Sequence, residues 1–222
     1  MREKLKSVLI VLICGLLPWP LRRLALRTFF GWQLDRRSHI ALSLFYNVGS
    51  IKLGAGASIG YFNVFRNLRL LDLGENSLIG QWNWITCSPV FFDLPGPGAG
   101  TLVVGHETAV TSRHYIDCAG GIQIGAHTTV AGIRSTILTH QIEAKASRQS
   151  ALPVAIGSYC LVSSNVCVTP GASIPDSSLV AMGAVVVGSL DEPGMLYAGV
   201  PARPVRAVGG EYFHREQGFV KR

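Results

Sequence analysis

The stretch VAIGSYCLVSSNVCVTPGASIPDSSLVAMGAVV, residues 154–186, decides the fold. Its aliphatic residues fall at Ile156, Val162, Val168, Ile174, Val180 and Val186, every sixth position without a slip. Two residues before each stand Val154, Cys160, Val166, Ala172, Ser178 and Ala184, all small or β-branched. A period of six fits neither a helix face nor a long alternating strand. It suits a chain that turns a corner every six residues, so that each flat side is a very short strand with its aliphatic residue pointing into a narrow prism. Three such sides make a coil of eighteen residues, and successive coils stack as parallel strands. The expected fold class is all-β, a parallel β-helix.

Upstream, the same period appears at Leu73, Ile79 and Ile85, and again at Val104, Val110, Ile116 and Ile122. It resumes two residues out of phase at Ile124 and Val130. Ile59-Gly60, Ile79-Gly80, Val104-Gly105, Ile124-Gly125 and Ile156-Gly157 repeat one pair, and their glycines are expected at corners that need unusual backbone angles. Two stretches break the pattern and read as loops leaving the prism: 88–100 (SPVFFDLPGPGAG) and 141–153. Insertions of this kind are where solenoids carry function, and the second follows directly on His140.

The chain divides into a basic, apolar helical arm over 1–38, the repeat over 39–208 and a tail over 209–222. Residues 1–40 hold eight Lys or Arg against Glu3 and Asp35, a surplus of six out of the chain's formal +7. The positive charge therefore belongs to the arm, and a nucleic-acid-binding surface is not expected. Ten apolar residues, Val8–Leu17, follow Arg2, Lys4 and Lys6. As a helix they reach about 15 Å, half of a bilayer's hydrocarbon core, too short to span it comfortably. A secretory signal would want a small-x-small cleavage site, which is missing. Two readings stay open: a helix that covers one end of the core, or a membrane-surface anchor with Trp19 and Trp32 at the interface and arginines on anionic headgroups. The five cysteines are odd in number and lack a C-x-x-C, so they are expected as buried, reduced thiols.

Ile137-Leu138-Thr139-His140, the interrupted segment after it, and the closing Tyr197-Ala-Gly-Val-Pro-Ala-Arg-Pro204 carry a resemblance. Over most of residues 40–208 the chain resembles the hexapeptide-repeat acyltransferases, and among them the sugar O-acetyltransferases such as those of maltose and colanic acid. The resemblance implies a left-handed parallel β-helix, a homotrimer, acetyl-CoA as acyl donor, a sugar or glycan acceptor, no metal, and His140 as general base. The chemistry is sound: an imidazole with an ordinary pKa of about 6.5 can take the proton of a hydroxyl as that hydroxyl attacks a thioester. A backbone amide would receive the oxyanion, and no covalent acyl-enzyme is needed.

His114, in Ser112-Arg113-His114-Tyr115-Ile116-Asp117, is the second catalytic candidate. The resemblance implies an asparagine near this point that orients the acceptor, and this chain departs from it. His114 also stands where the repeat wants a small side chain, so it is either turned outward or buried at a distortion. Asp117 reads equally as a residue that orients a histidine or as an ordinary corner residue. The resemblance further implies that coenzyme A lies in a groove between subunits, against Ser164, Met182 and Arg203. Arg206 reads as a second phosphate partner or as part of a solvated tail. Lys145, Arg148 and Gln149 read as solvated loop residues, and His39, His106, His127 and His214 as surface or corner histidines.

Two other function classes share such a repeat. A γ-carbonic-anhydrase-like metalloenzyme needs a histidine cluster, whereas His114 and His140 lie 26 residues apart without a third partner. A non-catalytic trimeric scaffold has no need to open its wall after Thr139-His140. The expected activity is acetyl transfer to a hydroxyl, or an amine, of a sugar or glycan intermediate in surface polysaccharide assembly, in the cytoplasm or at the inner face of the cell membrane.

Overall fold

A computed structural model of the chain describes residues 2–93 and 98–218. Residues 94–97 of the first expected loop and 219–222 of the expected tail lie outside the described residues.

Three long sheets run side by side as the faces of a prism. Face one has seven strands, from Gln33–Leu34 to Ser173–Ile174; face two has nine, from His39–Ile40 to Arg203–Ala207; face three has seven, from Leu44–Tyr46 to Val185–Val186. The chain visits the faces in the order one, two, three, and each strand pairs in parallel with the strand one coil away. The last pair on face two, Met195–Ala198 with Arg203–Ala207, is antiparallel and closes the solenoid.

The six aliphatic residues from Ile156 to Val186 all point inward and are at most 2 % exposed. Each buried aliphatic side chain contributes about 1.5–3 kcal/mol relative to exposure. Toward the N-terminal end the core widens: Phe45 and Phe65 occupy the face-three position and stack at 4.8 Å and 5°.

The eighteen-residue coil holds only for the last turns, where Ile156 pairs with Ile174 and Val162 with Val180. Earlier coils are longer. Leu53 pairs with Leu73 and Val104 with Ile124, twenty residues on. Ile122 pairs with Leu102, so it fills the slot two residues before the main inward one, and the phase slip is extra chain at an edge.

The Ile-Gly glycines correct a second expectation. None of the five is in the left-handed region; what they need is room. A Cβ on Gly80 would stand 2.2 Å from the Thr111 carbonyl oxygen of the next coil, and one on Gly125 would stand 2.5 Å from the Ser158 amide. The left-handed positions fall further along the edges, at residues such as Asn67, Glu107 and Asn165.

The arm forms two helices, α1 (Arg2–Leu16) and α2 (Trp19–Phe30), and the first strand already opens at Gln33. Ile10, Ile13, Cys14 and Leu26 are buried against the first coil. Trp32, which the membrane-anchor reading put at a lipid interface, lies in the core instead, 2 % exposed and 5.2 Å from the Phe45 ring. Arg22 donates to the carbonyls of Leu17 and Ile40, and Arg23 to those of Leu34 and Asp35. These two guanidiniums therefore satisfy backbone acceptors that the end of α1 and the open end of the first coil would otherwise leave bare. No described helix is long and apolar enough to cross a membrane.

Four cysteines are buried, and Cys167 is not: as the neighbour of inward-facing Val168 it points out from face three.

Candidate functional site

Both insertions leave the prism at the same edge, the one that joins face three to face one. The first departs after Thr86 and returns at Thr101; the second departs after Ile137 and returns at Val154. The second is an antiparallel hairpin, His140–Glu143 with Arg148–Ala151, clamped at its base by the Leu152 amide donating to the Thr139 carbonyl at 2.8 Å. Arg148 pairs with Glu143 across it at 2.7 Å, while Lys145 and Gln149 are exposed.

His140 opens this hairpin, and its Nδ1 lies 2.9 Å from Asp117 Oδ2. The two groups do not align as a hydrogen bond, so the contact is an electrostatic one at close range. Asp117 ends the face-three strand Tyr115–Asp117, one coil below. Its side chain is almost fully buried at 4 % exposure, and a buried carboxylate is tolerable only when its lone pairs are met. Thr139 serves one of its oxygens: its amide donates to Asp117 Oδ2 at 3.1 Å, its Oγ1 lies 2.7 Å from Oδ2 and 2.8 Å from the Asp117 carbonyl oxygen and can donate to either, and Oγ1 in turn accepts from the Gly120 amide. Thr139 thus locks the carboxylate that faces the histidine beside it in sequence. With Nδ1 turned to Asp117, Nε2 is the nitrogen on the far side of a ring that is 40 % exposed.

Phe91, from the first insertion, places its ring 5.3 Å from the His140 ring. The sequence offered only a weak signal for it, an aromatic pair amid prolines and glycines. Nearby, burial pushes the Cys87 thiol up to about 12, with the Asp117 charge adding to it, and pushes Cys118 up as well. Neither supplies a thiolate near neutral pH.

His114 goes elsewhere. It sits at the opposite end of the Tyr115–Asp117 strand, about 10 Å along it from Asp117, and is 2 % exposed. Its Nδ1 accepts from the Ser135 amide at 3.1 Å, and Nε2 lies 3.1 Å from Thr111 Oγ1. Both ring nitrogens are occupied, and burial lowers its pKa to about 4, so the ring is neutral. Asn63 and Asn83 do the same work in the two coils below, with Asn63 Oδ1 accepting from the Asn83 amide and Asn83 Oδ1 from the His114 amide. His114 is a rung of this ladder, not a neighbour of His140.

Ser164 and Met182 share His114's edge, between faces two and three. Ser164 Oγ accepts from the Ile133 amide at 3.2 Å, and Met182 is 68 % exposed. Arg203 lies exposed on the closing strand, donating to the Ala202 carbonyl, and Arg206 is exposed on the same strand. Within one chain, then, Ser164 and Met182 are separated from His140 by the width of face three, and Arg203 and Arg206 lie on face two. Among the described residues, no three His, Cys, Asp or Glu side chains gather as a metal would require.

No protein-family model matches the chain, and no curated protein does. Solved structures do. The chain is similar to the polysialic acid O-acetyltransferase OatWY, with 19 % identity, a TM-score of 0.58, and 81 % of this chain against 86 % of that one. It is also similar to AntD, an N-acyltransferase from Bacillus cereus. A single-residue variant of AntD in complex with dTDP and coenzyme A gives 15 % identity, a TM-score of 0.55, and 81 % of this chain against 87 % of that one. A second variant, bound to dTDP-4-amino-4,6-dideoxyglucose and coenzyme A, gives 14 % identity, a TM-score of 0.52 and the same coverage. The likeness is one of fold.

Proposed function

We propose that the protein is an acyltransferase that moves an acetyl group from acetyl-CoA to a hydroxyl of a sugar or glycan, with His140 as general base. The observation that carries this reading is the His140–Asp117 contact at the edge where both insertions open the wall. Asp117 orients the ring and offsets the positive charge that forms on it. Nε2 takes the hydroxyl proton, the oxygen attacks the thioester carbonyl, and the tetrahedral intermediate expels the thiolate, which is protonated as coenzyme A leaves. Acyl- and acetyltransferases of the same fold, AntD with coenzyme A bound among them, support the donor. The dTDP-sugar on AntD and the polysialic acid substrate of OatWY support a sugar-class acceptor.

The same reading carries a left-handed winding, a homotrimer, and coenzyme A along the edge that holds Ser164 and Met182, with Arg203 toward its phosphates. A subunit partner would bring that edge to the His140 edge of its neighbour. The arm lies on the inner face of the cell membrane, as part of surface polysaccharide assembly. It keeps Leu5, Leu9, Leu12 and Leu16 exposed on one face of α1, with Leu21, Leu24 and Phe29 exposed on α2.

The test is thiol release from acetyl-CoA in the presence of sugars, nucleotide sugars and membrane glycolipid extracts. Acceptor-dependent release should fall by about 10²–10⁴ in His140→Ala with the fold intact. Equal rates in both proteins would remove His140 as the base. No release with any acceptor and no acetyl-CoA binding would leave a scaffold.

A further inference from the structure

Most coils place a left-handed backbone at each edge of the prism, often on Gly, Asn or Ser, and the edges differ in where bulkier residues take the position. The edge between faces three and one uses residues suited to it, such as Asn47, Asn67, Gly171 and Gly188. The edge between faces one and two uses bulky ones, Glu107, His127 and Tyr159, and the C-terminal segment lies over all three. Tyr212 donates to the Cys160 carbonyl, Arg215 to the His127 carbonyl, and the Gly218 amide to Glu107 Oε2 at 2.5 Å.

The edge between faces two and three also uses bulky residues, Phe62, Trp82, Arg113 and Arg134, with φ between 59° and 64°. Among the described residues nothing covers them. Phe62 and Trp82 are 46 % and 50 % exposed, with rings 4.7 Å apart, and Tyr61 stands beside Phe62 at 5.9 Å. Among the described residues neither arginine's guanidinium has a hydrogen bond or ion pair, and both residues are exposed. Backbone bonds stack them in register, Trp82 on Tyr61, Arg113 on Gln81 and Arg134 on Arg113, so the column from Phe62 to Arg134 runs about 14 Å. No Asp or Glu occurs on this edge in residues 41–43, 60–63, 80–83, 111–114, 131–135, 163–166 or 181–184, whereas the edge between faces one and two carries Asp35, Glu75, Glu107 and Asp176.

A bulky side chain in the left-handed region is strained, and such strain persists where it serves a site. We infer that Tyr61, Phe62, Trp82, Arg113 and Arg134 form a docking edge for an anionic glycan. Aromatic faces stack on the C–H faces of pyranose rings, and the two arginines pair with carboxylates along the polymer. This rests on the acyltransferase reading and gives its acceptor a class, an acidic polysaccharide.

Native electrophoresis of the full chain through gels holding polygalacturonate or neutral dextran tests it, with Trp82→Asn, Arg113→Asn and the double variant. Asparagine occupies the same slot at Asn165, so these variants relieve strain and should melt no lower than the wild type. The wild type should be retarded by polygalacturonate and not by dextran, and each single variant should bind about tenfold more weakly, the size of one lost charge-assisted or stacking contact. An unretarded wild type, or variants that bind as tightly, overturns the proposal. So does a loss of assembly in the variants, seen as a lower solution mass than the wild type, which would mean that the column is packed directly against a copy and does not line an open cleft. Polygalacturonate binding lost in these variants, with no acceptor-dependent thiol release and no acetyl-CoA binding by the wild type, would keep the docking edge and sink the acyltransferase reading. The reverse pattern would do the opposite.

Discussion

His114→Asn exchanges one ladder rung for the residue that the coils below already use. The asparagine oxygen can take the Ser135 amide as Asn63 Oδ1 takes that of Asn83. It also removes a titrating group. The unfolded chain binds a proton on His114 below pH about 6.5, while the folded chain resists it down to about 4. Between those values the unfolded state holds more protons, so His114 makes stability fall as pH drops through the window, by about 3 kcal/mol once below it. Urea unfolding at pH 7 and pH 4.5 should show this loss in the wild type and less of it in His114→Asn. If the variant loses as much, the slope belongs to other groups. At the other end of the same strand, Asp117→Asn should keep the two Thr139 bonds and lower acetyl transfer about tenfold or more, with kcat affected more than the KM for acetyl-CoA.

At the level of the element, the faces and the edges obey different rules. Gly80→Ala pushes a methyl into the Thr111 carbonyl of the next coil, a backbone atom that cannot swing away. We expect a loss of about 1–3 kcal/mol in thermal or urea unfolding; an unchanged midpoint would mean that the coils can part locally. The same distinction explains what could be read from sequence. Inward positions demand an aliphatic residue in every coil, so Ile156 to Val186 announce themselves. Edges are satisfied by amides and side chains from coils twenty or thirty residues away, such as Asn63 to Asn83 and Asn83 to His114. No local pattern shows which coil gains two residues, or that His114 turns inward. The place of His140 at the mouth of the second insertion was legible because Thr-His stands where the repeat breaks off, whereas the grip of Thr139 on Asp117 and the approach of Phe91 depend on how two insertions fold back to one edge.

Helix α1 has a buried face of Ile10, Ile13 and Cys14, which covers the first coil, and an exposed one of Leu5, Leu9, Leu12 and Leu16, which the membrane-anchor proposal would set against lipid. Leu9→Glu with Leu12→Glu leaves the buried face alone. It should abolish flotation with liposomes rich in anionic lipid while leaving the melting temperature within a few degrees. Flotation that persists would show that the exposed leucines do not meet lipid.

For the whole molecule, the separation of His140 from Ser164 and Met182 across face three makes a prediction about assembly. If one reaction uses both edges, each active site belongs to two chains. His140→Ala and Met182→Glu should each be inactive alone, and a mixture unfolded and refolded together should regain activity through hybrid interfaces, with sedimentation showing a trimer. No recovery from a mixture that does assemble would place the whole site in one chain.

Coils of eighteen, twenty and twenty-one residues stack on one another without moving a single inward column, as Ile116 over Ile137 and Ile156 over Ile174 show. The margins of this fold are elastic and its ruled lines are not. A library that removes one residue at a time should therefore return survivors in bands, tolerant where the chain rounds a corner and empty across each two- to four-residue strand. The spacing of those bands would read out the geometry of the prism from growth alone.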